Sequence, residues 1–175
     1  MNRRLIEGSV CLLLVLSLAS QAADHLELVF NGVLLVANCQ FDQEGGSQKV
    51  HLPSQRLRFF EHNSRTQTTP FTLGLKDYTP ATLGKMVKLT FNSTQTQQVN
   101  GVAMLATTGD TGLVIGLEDS LGQAIILGSE MKAGTISQIG TGGVNRFQFG
   151  AYALAPGTVN AGDYSATVTV EASYQ

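Results

Sequence analysis

Few side chains in this sequence are of the types that catalyse reactions or bind metals. Its three histidines, His25, His51 and His62, lie far apart, and none sits at metal-ligand spacing with another His, Cys or carboxylate. Glu118 and Asp119 come nearest to a carboxylate pair, but adjacent residues of a strand point to opposite faces. The spacing therefore predicts no metal, no cofactor and no acid–base pair.

Two sequence motifs of enzymes can also be tested. The stretch Gly140-Thr141-Gly142-Gly143 is rich in glycine, but it lacks the Lys-Ser/Thr of a phosphate-binding loop and no helical pattern follows it. A flexible turn is the better interpretation. No Gly-x-Ser-x-Gly nucleophile elbow is present in the chain. We expect a protein that is not an enzyme.

The first 22 residues have the order of regions found in a secretory signal peptide. Arg3 and Arg4 precede an apolar run from Val10 to Leu18, and Ser20-Gln21-Ala22 follows as a small-x-small cleavage site. The apolar run is roughly half of the ~20 residues that a membrane span requires. We therefore expect residues 1–22 to be removed when the chain is exported.

Removal of the signal peptide leaves one cysteine. Cys11 lies in the signal peptide, so Cys39 is expected to remain alone in an oxidising compartment. Its neighbours in VLLVANCQF include no Lys, Arg or His that would lower the pKa of the thiol. The sequence predicts a buried, inert thiol at Cys39.

The remainder of the chain predicts an all-β domain. Charged residues make up only 14%, there are 19 glycines, and the formal net charge of −2 disfavours a nucleic-acid partner or an anionic membrane surface. The pattern of residues 53–66 is ambiguous, and we expect a loop there with a possible short strand. We also expect a loop or wide turn at residues 92–101, NSTQTQQVNG. Short alternating segments joined by turns favour a β-sandwich. The predicted strands are 70–78, 86–91, 112–119 followed by a turn at 120–123, 124–128 and 145–155.

The longest strand patterns stand at the two ends of the mature chain. Near the amino end, the alternate positions are Leu26, Leu28, Phe30, Gly32, Leu34 and Val36. Near the carboxyl end, they are Tyr164, Ala166, Val168, Val170, Ala172 and Tyr174. Chain ends usually fray, so two terminal strands of this quality require partners. Gly32 interrupts an apolar face, which in a strand often marks a close approach by another group.

These segments together resemble a subunit of bacterial pili built by the chaperone–usher pathway, of the type 1 and P pilus kind. The resemblance rests on ADHLELVFNGVLLVANC at the amino end and on PFTLGLKDY, MVKLTFNST and GLVIGLEDSLGQAIILG in the middle. It also rests on Gly162 as the fourteenth residue from the end and Tyr174 as the penultimate one. It covers essentially the whole mature chain.

The resemblance implies an incomplete immunoglobulin-like β-sandwich that lacks its last strand and is completed in trans. Residues 23–36 would form a donor strand for a neighbouring subunit, through Leu26, Leu28, Phe30, Gly32 and Leu34, and residues 37–175 would form the pilin domain. The last strand of the chain would form one side of the groove that the missing strand leaves. A periplasmic chaperone would bind along this strand, through Gly162, Tyr164, Ala166, Val168, Val170, Ala172, Tyr174 and Gln175. An outer-membrane usher and neighbouring subunits are the other expected partners, in a fimbrium on the bacterial surface that contributes to adhesion. A host glycan would be contacted only indirectly, through a tip adhesin.

One residue departs from the family pattern. The first Cys of the family usually pairs with a second one, in a pattern like FTLGLKDC, and this chain has Tyr78 at that place. The resemblance therefore implies that Cys39 is a free thiol and that a disulfide worth roughly 4 kcal/mol is missing. A minor subunit, present in few copies, would tolerate this loss.

Alternatives to a polymerising subunit remain open at this point. Residues 23–36 could be an ordinary first strand that folds onto its own domain. The protein could also be an adhesive or lectin-like binding module, or a base terminator whose groove admits no donor strand.

Overall fold

A computed structural model describes residues 26–34, 39–43 and 46–175 of the chain. The predicted signal peptide, His25, and residues 23–25 and 35–36 of the predicted donor strand lie outside the described residues. No helix within the described part is long and apolar enough to cross a membrane.

The described residues form eleven strands and one short α-helix. The strands are β1 (Leu26–Leu34), β2 (Gln40–Phe41), β3 (Ser47–Leu52), β4 (Thr69–Lys76), β5 (Met86–Asn92), β6 (Thr96–Val99), β7 (Val102–Ala106), β8 (Val114–Asp119), β9 (Glu130–Thr135), β10 (Val144–Leu154) and β11 (Ser165–Tyr174). The helix α1 spans Leu57–Phe60, and a 3₁₀ turn spans Pro80–Thr82.

The strands are arranged in two sheets, as the sequence predicted. Sheet A has the order β3-β1-β11-β5-β9, and sheet B has the order β2-β4-β10-β8-β7-β6. The core lies between them, where Phe91 of sheet A meets Phe149 of sheet B edge to face with 5.3 Å between ring centroids. The all-β sandwich is therefore confirmed.

Alternation of apolar and polar residues explains how the strands lie in the sheets. In β5, Val87, Leu89 and Phe91 are fully buried, whereas the residues between them are half-exposed. In β10, Phe147 and Phe149 face the core in the same way. A period of two places one face of each strand in the core, so burial of apolar surface selects both the strand and its register.

The polar stretch 92–101 was expected to be a loop, and this expectation was wrong. Residues 96–99 form β6, which pairs with β7 in an antiparallel hairpin. The turn contains Asn100 at φ 52° and Gly101 at φ 81°, so both residues have the left-handed conformation that a two-residue hairpin requires. The Asn100-Gly101 dipeptide is the sequence signal that predicts this hairpin.

The strand predicted at 124–128 is also wrong, although the turn before it is confirmed. Asp119 N–H donates to the Gln123 carbonyl, and after a single bridge at Ala124 the ladder ends. Gly128 N–H then donates to the carbonyl of Phe91, which belongs to the other sheet. Because the segment crosses from sheet B to sheet A, it cannot pair continuously with either.

Further elements were also missed in the sequence. Part of the ambiguous segment 53–66 is the single helical turn α1, rather than a short strand. Strand β3 has only Val50 and Leu52 as buried residues, too few for a clear pattern. Strand β9 is an edge strand containing Gly134, and its pairing with β5 shifts register between Val87 and Lys88.

The outer face of sheet B carries a packed polar cluster. The Arg65 guanidinium lies 3.6 Å from the centroid of the Tyr152 ring and 3.2 Å from a carboxylate oxygen of Glu118. Thr68 donates a 2.5 Å hydrogen bond to the same carboxylate. A side chain on Gly116 would overlap the Tyr152 ring, so glycine is required there for the ring to lie against the sheet.

Candidate functional site

The amino-terminal strand β1 occupies the middle of sheet A. It pairs in parallel with β11, with Phe30 opposite Val168 and Gly32 opposite Val170. On its other side it pairs antiparallel with β3. Strands β3 and β11 are therefore joined only through β1, and the space that β1 fills between them is named here the groove.

The floor of the groove is apolar. Ala166, Val168, Val170 and Ala172 of β11 are each 4% exposed or less, and Val50 and Leu52 of β3 are also buried. Tyr164 and Tyr174 are partly buried at the two ends of β11, and Gly162 is exposed just before it. Gln175 is exposed, and its backbone pairs with Met86 beyond the end of the strand. The predicted edge residues thus lie on β11 or within three residues of its ends.

Within the described part of the chain, nothing fills the end of the groove where β11 begins. A cavity of about 350 Å³ lies there, between the apolar side chains Leu57, Phe60 and Leu113 and the backbone of Gly162. This end, formed by residues 53–57, 107–112 and 158–164, is named the mouth. Sequence reasoning missed this cavity, because its walls come from three loops that no periodic pattern connects.

The loops of the mouth are held in fixed positions. Asn160 N–H donates to the Thr111 carbonyl at 3.0 Å, and its side-chain amide donates to the Asp110 carbonyl at 2.9 Å. Gly109 and Gly112 have positive φ values, 87° and 75°, and a side chain on either would collide with the opposite loop's backbone. The close approach of the two loops therefore depends on these glycines.

The opposite end of the groove, where β11 ends, contains Cys39 and Tyr78. This end, formed by Cys39, residues 77–85, residues 136–143 and Gln175, is named the root. Cys39 is 2% exposed and unpaired, and Tyr78 is 1% exposed with its ring 5.7 Å from that of Tyr174, edge to face. Among the described residues Cys39 is therefore a buried cysteine without a disulfide, and a free thiol in the exported protein stays a prediction.

The Cys39 thiol and the Tyr78 hydroxyl face each other. Burial raises the pKa of Cys39, and the neighbouring hydroxyl partly offsets this rise. Burial also raises the pKa of Tyr78, and the adjacent thiol adds to that effect. Within the described part of the chain, the Tyr78 hydroxyl has no nitrogen or oxygen partner. The two positions that the family would bridge by a disulfide are therefore in contact.

Side chains near the root fix the chain on either side of it. Asn145, which is 3% exposed, accepts hydrogen bonds from the backbone of Ser137 and Gln138 at 2.8 and 2.9 Å and donates one to the Gln138 carbonyl at 2.8 Å. Asp42, just after β2, is 3.6 Å from Lys76 and 3.3 Å from Arg146. These contacts hold the segment that follows the amino-terminal strand against sheet B.

The residues considered for chemistry are placed apart. No group of three or more potential metal ligands occurs among the residues that the structure describes. Glu118 is held by Arg65, whereas Asp119 accepts backbone hydrogen bonds from Leu121 and Gln123 in the following turn. In the glycine-rich stretch, Gly143 N–H donates to the Gly140 carbonyl, which makes it a turn as predicted.

The fold and the groove define a class of protein: an immunoglobulin-like sandwich with a terminal strand inserted into one sheet. The family model for fimbrial proteins matches residues 28–175. The chain therefore belongs to the fimbrial protein family, as its resemblance implied.

Particular relatives agree with this assignment. The chain is 28% identical to the fimbrial adapter PapK of Escherichia coli over 179 residues, covering 98% of this chain and all of PapK. The protein PrsK of Escherichia coli is equally similar over the same coverage.

Two solved structures share the fold. The P pilus rod subunit PapA matches with a TM-score of 0.65 at 25% identity, over 79% of this chain and all of that one. A chain from the structure of a chaperone–usher pilus matches with a TM-score of 0.64 at 25% identity, over 83% of this chain and 93% of that one. The similarity thus includes an adapter and a rod subunit.

Proposed function

We propose that the protein is a structural pilus subunit that polymerises by strand addition in trans. The observation that carries this proposal is the position of β1, which is the only link between β3 and β11 among the described strands. A strand whose residues lie at the end of the chain can leave the sheet and be replaced by the same strand from a neighbour. The exchange leaves the pairing pattern of the sandwich complete.

The direction of pairing distinguishes the single chain from the polymer. Leu34, the last residue of β1, is six residues before Gln40, and β2 begins near the root. The end of β1 must therefore stay at the root when it fills its own groove, and this requires the observed parallel pairing with β11. In the monomer, β1 therefore fills the groove of its own chain.

In a polymer, the donor strand would run antiparallel to β11. A parallel donor would bring the neighbour's body to the root, where the receiving subunit's own extension also emerges. An antiparallel donor brings the neighbour to the mouth, so each subunit uses opposite ends for its two neighbours. Only this arrangement repeats head to tail in an open filament. Alternation with a period of two fits the groove in either direction.

The energy of strand insertion supports a need for a chaperone. Full burial of the four large apolar residues Leu26, Leu28, Phe30 and Leu34 would contribute about 1.5–3 kcal/mol each. The total is similar to the stability of a typical domain, about 5–15 kcal/mol. A subunit with an empty groove would expose the floor of β11 and an unpaired edge, which favours aggregation. We therefore infer that a periplasmic chaperone occupies the groove after export and that an outer-membrane usher guides assembly into a surface fimbrium.

The mouth supports a subunit that accepts a donor, rather than a base terminator. Its cavity of about 350 Å³ is a place where an incoming strand can begin to pair before β1 has left. A terminator would need this end to be closed. The first residues of β11 lie beside the cavity, so pairing that begins there can proceed along the strand towards the root.

A tethered second copy of the donor strand tests the proposal. The mature chain carries Leu28→Asp and Phe30→Asp, which disable β1, and a flexible linker after Gln175 carries a wild-type copy of residues 23–36. Because a hairpin-length linker of about four residues holds the start of the copy at the root end of β11, the copy can pair only antiparallel. The matched control carries the same two Asp residues in the copy.

We expect the wild-type copy to restore a cooperative urea transition and the Asp copy to leave an aggregating chain. If both behave alike, the groove does not accept an antiparallel donor and polymerisation by strand addition is refuted.

A further inference from the structure

The length of the connection between β1 and β2 limits how far apart two linked subunits can be. Leu34 and Gln40 are six residues apart, so their Cα atoms can be separated by at most about 20 Å. If β1 of one subunit lies antiparallel in the groove of another, its last residue lies at the receiver's mouth. The donor's root must then lie against that mouth. This step rests on the proposed function.

The root presents an exposed apolar residue beside a cation. Leu83 is 56% exposed on the turn that follows Pro80–Thr82, and Lys85 is exposed two residues later. The Lys85 ammonium is 5.3 Å from the Tyr174 ring centroid and makes no ion pair with another described residue. Lys76, next to the root, and Arg146 are engaged by Asp42, and Lys88 of β5 is paired with Glu130.

The mouth presents the complementary chemistry. Leu57 is 45% exposed at the wall of the cavity. Asp110 and Asp163 are exposed on the two loops that the mouth glycines hold together, and neither forms an ion pair with another residue in the described part of the chain. Arg56 lines the cavity itself, and a second exposed cation, Arg58, follows on α1.

We propose that the root of one copy of this chain docks on the mouth of the next as a second contact, additional to strand insertion. In this contact Leu83 packs against the apolar rim at Leu57. The Lys85 ammonium lies near the carboxylates of Asp110 and Asp163. The docking surface is continuous with the groove, and because the loops of the mouth are fixed before assembly, little further ordering opposes docking.

The test compares two kinds of strand uptake by the mature chain, residues 23–175. In the first, a fluorescent peptide of residues 23–36 enters the groove in urea low enough to keep the chain folded, and anisotropy measures its uptake. In the second, chains without peptide assemble under the same conditions, and light scattering with size-exclusion chromatography measures the oligomers. The peptide has no root, so only the second assay reports docking.

Charge variants and a hydrophobic variant separate the two contacts. We expect Lys85→Glu to slow assembly about twofold to fivefold, the range for an exposed ion pair, with peptide uptake unchanged. Asp163→Lys lies in the mouth, so its assembly rate is divided by its own rate of peptide uptake, and that ratio should fall by the same factor. The double variant should regain most of the rate, because opposite charges again face each other. Leu83→Ser should slow assembly at least as much, whereas Leu121→Ser should not, because Leu121 is 80% exposed on the turn after β8, outside both the root and the mouth.

The outcomes are distinguishable. If the variants assemble like wild type while the peptide still enters, strand addition stands and the root-to-mouth contact is wrong. If the double variant assembles no faster than either single variant, the pairing of Lys85 with the mouth carboxylates is wrong. If neither peptide uptake nor oligomers occur, the proposed function fails and this contact fails with it.

Discussion

The substitution Tyr78→Cys would place a second thiol against Cys39 at the root. The two side chains already face each other in the core, and both are at most 2% exposed. The bridge would close a loop between residues 39 and 78. We expect it to form within one chain on oxidation, because burial and the existing contact favour the two sulfurs meeting.

Two opposing effects set the size of the change. Closing a loop of this length restricts the unfolded chain by about 4 kcal/mol in the chain-entropy model. Replacing a buried aromatic ring by a small residue costs about 3–5 kcal/mol, because the ring's contact with Tyr174 is lost and a cavity remains. The oxidised variant should therefore be close to wild type in free energy of unfolding, and the reduced variant about 4 kcal/mol below the oxidised one.

Urea unfolding of the same variant with and without reductant isolates the disulfide from the packing loss. For a domain of this size, the difference corresponds to a shift of about 8–16 °C in Tm. Tyr78→Ser, which removes the ring without adding a thiol, is the matched control and should be insensitive to reductant. Equal midpoints for the oxidised and reduced forms, with the bridge verified by mass, would refute the reasoning.

Three other perturbations test the packing. Gly116→Ala should lower the free energy of unfolding by about 1–3 kcal/mol, because the new methyl group would displace the Tyr152 ring. Gly157→Ala is the control: a methyl group there meets open space, so urea unfolding should be nearly unchanged. Asn145→Ala should lower the free energy of unfolding by about 2–4 kcal/mol, because it removes three hydrogen bonds. Gln148→Ala, at an exposed position on the same strand, should change it little. Equal urea midpoints for the two variants would contradict this. The raised pKa of Cys39 keeps its thiol protonated in the fold, so stability should fall as the pH rises above the unfolded thiol's value of about 8.5. Cys39→Ala should flatten that decline in a pH series of urea midpoints.

Much of the groove could be predicted from the sequence. The period of two in β1 and β11 is a local property of the chain, and it identified both strands and the face that β11 buries. Cys39 was predicted to be buried from its apolar neighbours alone, and the resemblance gave Tyr78 as its partner position. These features depend on residues close in sequence, or on a pattern that a family shares.

Other features arise where distant segments meet. The crossing at 124–128 has the continuous apolar run of a buried strand, yet its backbone bonds to two different sheets, and no local pattern encodes that. The mouth cavity is formed by three loops, so its existence depends on how they approach each other.

The sequence by itself determined the family and the strands with clear alternation, such as β5, β10 and β11, because alternating side chains decide which face of a strand leaves water. Tertiary structure alone decided the direction in which β1 enters its own groove. Alternation with a period of two is the same in both directions, so Phe30 could face Val168 with either polarity. The short connection from Leu34 to the root fixed the parallel choice, because covalent reach permits no other within one chain.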